Sequence, residues 1–160
     1  ALLLEFDSLL LWSAKHLDNI IIHQKVIDVN ELVDEVISLS TLQSSVKKIN
    51  IDLRLEKEFI AFADINMIKI VFRNVLNNAI KYSKHESTIN INAIEKNGFL
   101  YLTIVDNGLG FNYYYTNKGI GLGLELCKDF LELNGGKLII ESSFKGSKVI
   151  IKLLIEQRVN

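Results

Sequence analysis

The chain has 160 residues, 49% of them hydrophobic and 23% charged, a composition that suits one globular domain with a substantial core. A formal net charge of -1 implies no general attraction to nucleic acid or an anionic membrane, and a single cysteine, Cys127, excludes an intrachain disulfide framework. That cysteine usage fits a reducing, cytoplasmic setting. Glu5, Asp7, Lys15 and Asp18 interrupt the leucine-rich beginning of the chain, which argues against a signal peptide or a membrane span there.

Residues 2–23 read as a helix, with Leu3, Phe6, Leu10, Ser13, Leu17 and Ile20 spaced alternately by three and four, the seam of a helical bundle. Leu2, Leu9, Leu11 and Trp12 widen its apolar surface, so it calls for a second helix and a second copy of itself. A further helix is predicted from Asp28 or Asn30 as N-cap to about Lys48. "INIDLRLE" (Ile49 to Glu56) alternates with period two and reads as a strand, and "FIAFA" (Phe59 to Ala63) as a shorter one. Asp64 caps a long helix to about Tyr82.

"TININAIE" and "FLYLTIVD" flank Lys96-Asn97-Gly98, a hairpin signal. Another helix spans Gly121 to Asn134 with Gly135 as its stop, and "KLIIES" and "KVIIKLLIE" form a last hairpin through Gly146. The sum is an N-terminal helix plus an α/β layer of about five or six strands and three helices.

Three stretches carry chemistry. In "RNVLNNAIKYS", Ile68, Phe72, Val75, Leu76 and Ala79 make one apolar stripe, while Asn74, Asn78 and Lys81 fall within about 60° of each other on another face. Asparagine costs a few tenths of a kcal/mol against alanine inside a helix, so Asn74, Asn77 and Asn78 together ask for a reason. An amide oxygen can coordinate a hard cation and a lysine one turn on can neutralise phosphate, although a merely polar face has the same composition.

Asp106 closes an apolar strand and must find donors. It either begins an Asp-Asn-Gly turn or accepts a hydrogen bond from a ligand amine. "GIGLGL" (Gly119 to Leu124) opens a helix, where free amides and the dipole favour an anion, but it lacks the Walker lysine and no strand leads into it.

In that order the three stretches resemble the ATP-binding domain of histidine kinases, which shares its fold with gyrase B, MutL and the large heat-shock chaperones. "NVLNNAIKYS" resembles the family's N box, "DNGLG" its first glycine box, and "GIGLGLELCKDFLELNGGKLIIESS" its second with the following helix and hairpin. The likeness runs from about residue 28 to 156. It implies an α+β fold of the Bergerat type: a two-layer α/β sandwich with a mixed, mostly antiparallel sheet of about five strands on three helices. Residues 1–24 would be the end of the second helix of a dimerisation hairpin, and 25–160 the catalytic domain.

By the resemblance, Asn78 holds Mg²⁺, Asn74 touches the metal-phosphate group and Lys81 meets phosphate of ATP. Tyr82 packs beside the adenine or ribose. Asp106 accepts from the adenine amino group, and Gly108 and Gly110 shape that pocket. Lys118, Gly119, Gly121, Leu122, Gly123 and Leu124 surround the phosphates. The implied partners are a phosphoacceptor histidine on an upstream helix, a response regulator and, through the N-terminal helix, a second copy.

Two departures stand out. Relatives that hydrolyse ATP carry a glutamate one turn before the metal asparagine; Asn74 stands there and cannot act as a base, which favours transfer to a protein. Only "FNYYYTNK" (Phe111 to Lys118) separates the glycine boxes, where the family usually has a longer lid. His16 is followed by Leu-Asp-Asn and His23 by Gln-Lys-Val, neither the context of the family's phosphorylated histidine, and His85 reads as a loop residue after the N-box helix, so the chain alone is not expected to phosphorylate itself. The competing readings are a nucleotide-binding module without transfer and an anti-sigma-factor serine kinase.

Overall fold

The structure, a computed structural model, describes residues 20–108 and 122–156. Ile20–Gln24 are not helical, contrary to expectation for a first helix ending at residue 23; the rest of that helix lies outside the described residues. Instead Ile20 and Ile22 pack on the core while Ile21 and His23 are exposed. A period-two alternation of three consecutive isoleucines suits extended backbone. The chain continues into an unpredicted strand, β1 (Lys25–Asp28), whose four residues are too few to show a pattern.

Asp28 caps α1 (Val29–Leu39), accepting from the Glu31 amide. The predicted single helix to Lys48 is broken at Ser40, and α2 (Thr41–Val46) follows. The break lies in a hydroxyl run: Ser38, Ser40 and Thr41 donate back to the carbonyls of Glu35, Val36 and Ile37, competing with the helix ladder. Next come β2 (Asn50–Arg54), β3 (Ile60–Ala63) and α3 (Ile65–Tyr82). The hairpin β4 (Thr88–Lys96) and β5 (Phe99–Asp106) turns on Asn97 and Gly98, both at positive φ. Then α4 (Leu122–Leu133) leads to the hairpin β6 (Lys137–Ser143) and β7 (Gly146–Leu154).

Strands β2-β4-β5-β7-β6 form a five-stranded sheet, parallel only between β2 and β4; β1 and β3 pair antiparallel in a small separate sheet. The inward residues Ile89, Ile91, Leu100, Leu102, Ile104, Val149, Ile151 and Leu153 are buried beneath the helices. The stripe predicted on α3, from Ile68 to Ala79, is buried throughout.

One polar network fastens the helix ends. Asp64 caps α3, its Oδ1 accepting from Asn66 and Met67 and its Oδ2 from the His23 amide at 3.0 Å. The Asp64 amide donates to Oδ1 of Asn134 at 2.7 Å, and Nδ2 of Asn134 donates to Phe130 O at 2.7 Å in the last turn of α4. Asn134 is fully buried, so each of these groups depends on the others for its partner. Asn134→Ala therefore leaves the Asp64 amide unsatisfied and should cost about 2 kcal/mol, read as a lower urea midpoint at unchanged slope.

Candidate nucleotide site

The apolar stripe of α3 sits on the sheet, and the adjoining face of the helix points along the gap between α3 and β5. There Val75, Asn78, Ala79 and Tyr82 of α3 meet Ile104 and Asp106 of β5, Ser147 and Val149 of β7, and Leu124 of α4 in one pocket. Its walls are aliphatic, and its polar groups are few and convergent, the usual make-up of a small-molecule site.

Asp106 is 7% exposed. Its Oδ1 accepts from the Gly108 amide at 2.8 Å, so the predicted turn is present, and the same carboxylate lines the pocket. Burial raises the carboxyl above its ordinary value, while the backbone amides of Gly108 and Ser147 pull it down less strongly. Gly108 is required by packing: a Cβ there would run into the Tyr82 carbonyl oxygen. Gly146, at φ +136°, comes equally close to the Asp106 carbonyl.

Of the predicted residues, Asn78, Tyr82, Asp106 and Leu124 come together in the pocket, with Gly108 at its rim. Among the described residues the side chain of Asn78 has no hydrogen-bond partner, and it lines the pocket. Asn74 stands one turn earlier and faces α4: a Cβ on Gly123 would lie 3.7 Å from Asn74 Cγ. The Nδ2 of Asn74 is buried without a conventional hydrogen-bond partner, a donor suited to an anion at the start of α4. It stands near enough to the Cys127 thiol to ease its ionisation slightly, yet burial wins and pushes that thiol up to about 12. Lys81 is exposed beyond the pocket, its Nζ 5.1 Å from the centre of the Tyr82 ring. Gly110, Lys118, Gly119 and Gly121 lie outside the described residues, as does the side chain of Leu122.

Ser147 was missed by sequence reasoning. Its signal was available only through register, because it pairs with Asp106 across β5 and β7.

Residues 63–157 match the family described as histidine kinase-, DNA gyrase B-, and HSP90-like ATPase. The chain belongs to this family. The match begins just before the Asp64 cap and takes in α3, β5, α4 and the last hairpin, the elements that build the pocket. Among curated relatives of this ATPase family, the sensor protein KdpD of Clostridium acetobutylicum is 36% identical over 137 residues, covering 73% of this chain and 15% of that protein. Sporulation kinase B of Bacillus subtilis is 29% identical, covering 81% of this chain and 33% of its own. The chain thus spans about a third or less of these relatives.

Two solved structures share the fold. Acinetobacter baumannii histidine kinase AdeS matches with a TM-score of 0.82 at 20% identity, over 95% of this chain and 77% of that one. Histidine kinase ThkA in complex with response regulator protein TrrA matches at 0.78 and 20%, over 96% of this chain and 48% of that one. No described helix is long and apolar enough to cross a membrane.

The buried carboxylate makes a pH prediction. The folded state holds the Asp106 proton more tightly than the unfolded chain, so between the ordinary carboxylate value and the raised folded one it binds more protons. Its contribution to stability is full below the unfolded value and is lost as pH rises through the folded one. Urea midpoints of the wild type relative to Asp106→Asn should therefore fall as pH rises from below the ordinary carboxylate value, about 3.9, to above it. A flat or rising difference would contradict the burial argument.

Proposed function

We propose that this chain is the ATP-binding catalytic domain of a two-component sensor histidine kinase, delivering the ATP γ-phosphate to a histidine on an upstream helix for relay to a response-regulator aspartate. The observation that carries this reading is Asp106, a buried carboxylate in a largely aliphatic pocket that it shares with Asn78, Tyr82 and Ser147. An ionised carboxylate accepts hydrogen bonds only, so it favours the 6-amino edge of adenine over the 6-carbonyl that guanine presents at the same edge. Val75, Ile104, Leu124 and Val149 cover the ring faces, and Tyr82 flanks the adenine or ribose.

Four residues of helix rise separate Asn74 from Asn78, about 6 Å, so the polar face runs from the base slot toward the start of α4. Asn78 is assigned the Mg²⁺ through its amide oxygen. A single protein oxygen would suit this ion, which is commonly held through few protein ligands together with phosphate oxygens and water. When bound, the ion would neutralise phosphate charge. Asn74 donates its amide to phosphate, Lys81 adds a cation, and the amides near Gly119, Gly121 and Gly123, with Lys118 as a further cation, cradle the phosphates. Gly110 lines the adenine end with Gly108.

In the transfer step an imidazole nitrogen bonds to the γ-phosphorus as the bond to the leaving ADP oxygen breaks. Positioning and charge neutralisation suffice, so Asn74 in the place of a glutamate is no obstacle. The upstream histidine helix, the response regulator and a homodimer through residues 1–24 are the assigned partners, in a cytoplasmic setting. The response regulator held by ThkA supports the second of these.

The test mixes the full chain, Mg-ATP labelled at the γ-position and a separate fragment carrying the upstream acceptor helix. Acid-labile phosphate should accumulate on the fragment and none on the chain alone; tight nucleotide binding without transfer would mark a binding module instead. Asn78→Ala should lose Mg-dependent affinity by at least about tenfold, since charge-assisted contacts are worth 1.5–3 kcal/mol. Unchanged affinity would refute the metal assignment. Asp106→Asn should erode the preference for adenine over guanine nucleotides rather than weaken both equally.

A further inference from the structure

The last four carbonyls of any helix lack partners within it. On α3 these belong to Ala79, Ile80, Lys81 and Tyr82, the turn that carries two of the assigned nucleotide residues. Ala79 O receives the Ser83 amide at 3.0 Å. The Tyr82 carbonyl lies against Gly108, so it forms a wall of the turn that holds Asp106. The other two go to one distant side chain. Nζ of Lys47 donates to Ile80 O at 3.1 Å, to Lys81 O at 2.5 Å and, just past the helix, to Ser83 O at 3.0 Å.

Three donors on one ammonium meet three carbonyls, so its hydrogen-bonding capacity is used in full. Its charge also opposes the negative end of the α3 dipole, which would otherwise sit next to an anionic ligand. Lys47 is itself anchored. Its carbonyl accepts from the Glu86 amide at 3.0 Å, Lys48 pairs with Glu86 at 3.0 Å, and the Asn50 amide donates to Ser87 O at 2.9 Å. The α2–β2 link is therefore laced to the α3–β4 loop, and Lys47 reaches from it under the end of the nucleotide helix.

We infer that Lys47 is a positioning residue for the nucleotide site: it holds the last turn of α3 so that Lys81 and Tyr82 face the ligand and Gly108 keeps its seat. It touches no ligand itself. The inference rests on the nucleotide reading above, and the experiment separates the two. In the full chain without nucleotide, Lys47→Met should speed amide hydrogen exchange at Ser83 and Gly108 at least about tenfold relative to Leu102 in the core, the signature of local rather than global opening.

ATP affinity, measured where both proteins are fully folded, should fall on the order of tenfold. Lys47→Arg should recover most of it, because a guanidinium also presents several donors. Leu153→Ala, at the end of β7 remote from Ser147, lowers stability without touching this turn and should bind ATP as the wild type does. Unchanged exchange at Ser83 and Gly108, unchanged affinity in Lys47→Met, or an equal affinity loss in Leu153→Ala would each overturn the role of Lys47. If the wild type binds no ATP, the nucleotide reading falls, and the exchange measurement still decides whether Lys47 holds the turn.

Discussion

The structure depends on how α3 is seated. One helix must bury an apolar stripe on the sheet and present a polar stripe to the gap beside it. Phe72, Val75 and Leu76 are fully or almost fully out of water, and each such side chain contributes about 1.5–3 kcal/mol on burial. That force fixes the rotation of the helix about its axis, and the rotation in turn aims Asn74 and Asn78. Burial alone leaves the helix free to slide along the sheet. The two ends remove that freedom: the Asp64–Asn134 network holds the start and Lys47 the finish.

Asp106 shows the opposing economy. A carboxylate in an aliphatic slot destabilises the fold when it ionises, which its raised pKa records. Two backbone amides offset part of that cost without neutralising the charge, so accepting capacity remains for a ligand. The approach of Gly108 to Tyr82 and of Gly146 to Asp106 brings three segments of backbone within contact distance, and side chains at either glycine would force them apart. A site of this kind is built from close backbone packing as much as from polar side chains.

Much of the fold was legible locally. The period of the α3 stripe, the Asp28 and Asp64 caps, the Asn97-Gly98 turn and the Gly135 stop are each decided by neighbours a few residues away. What was misread had a local ambiguity. Three isoleucines at residues 20–22 continue a helical seam on paper, yet they lie outside any helix, with Ile20 and Ile22 packed on the core and Ile21 exposed. The hydroxyl run at Ser38–Thr41 fits a helix by composition, but its side chains share the Val36 and Ile37 carbonyls with the Ser40 amide where the helix ends.

By itself the sequence determined the residue types the chemistry needs and the elements that carry them: an asparagine helix, an aspartate at a strand end, glycines at close approaches. Spacing along the chain was enough because each depends on local geometry. Only the tertiary structure decided which of them share a pocket, that Ser147 completes it, and that Lys47 holds it from 33 residues away in sequence. Strand register and long-range carbonyl capping arise from contacts between distant segments, and no local pattern records them.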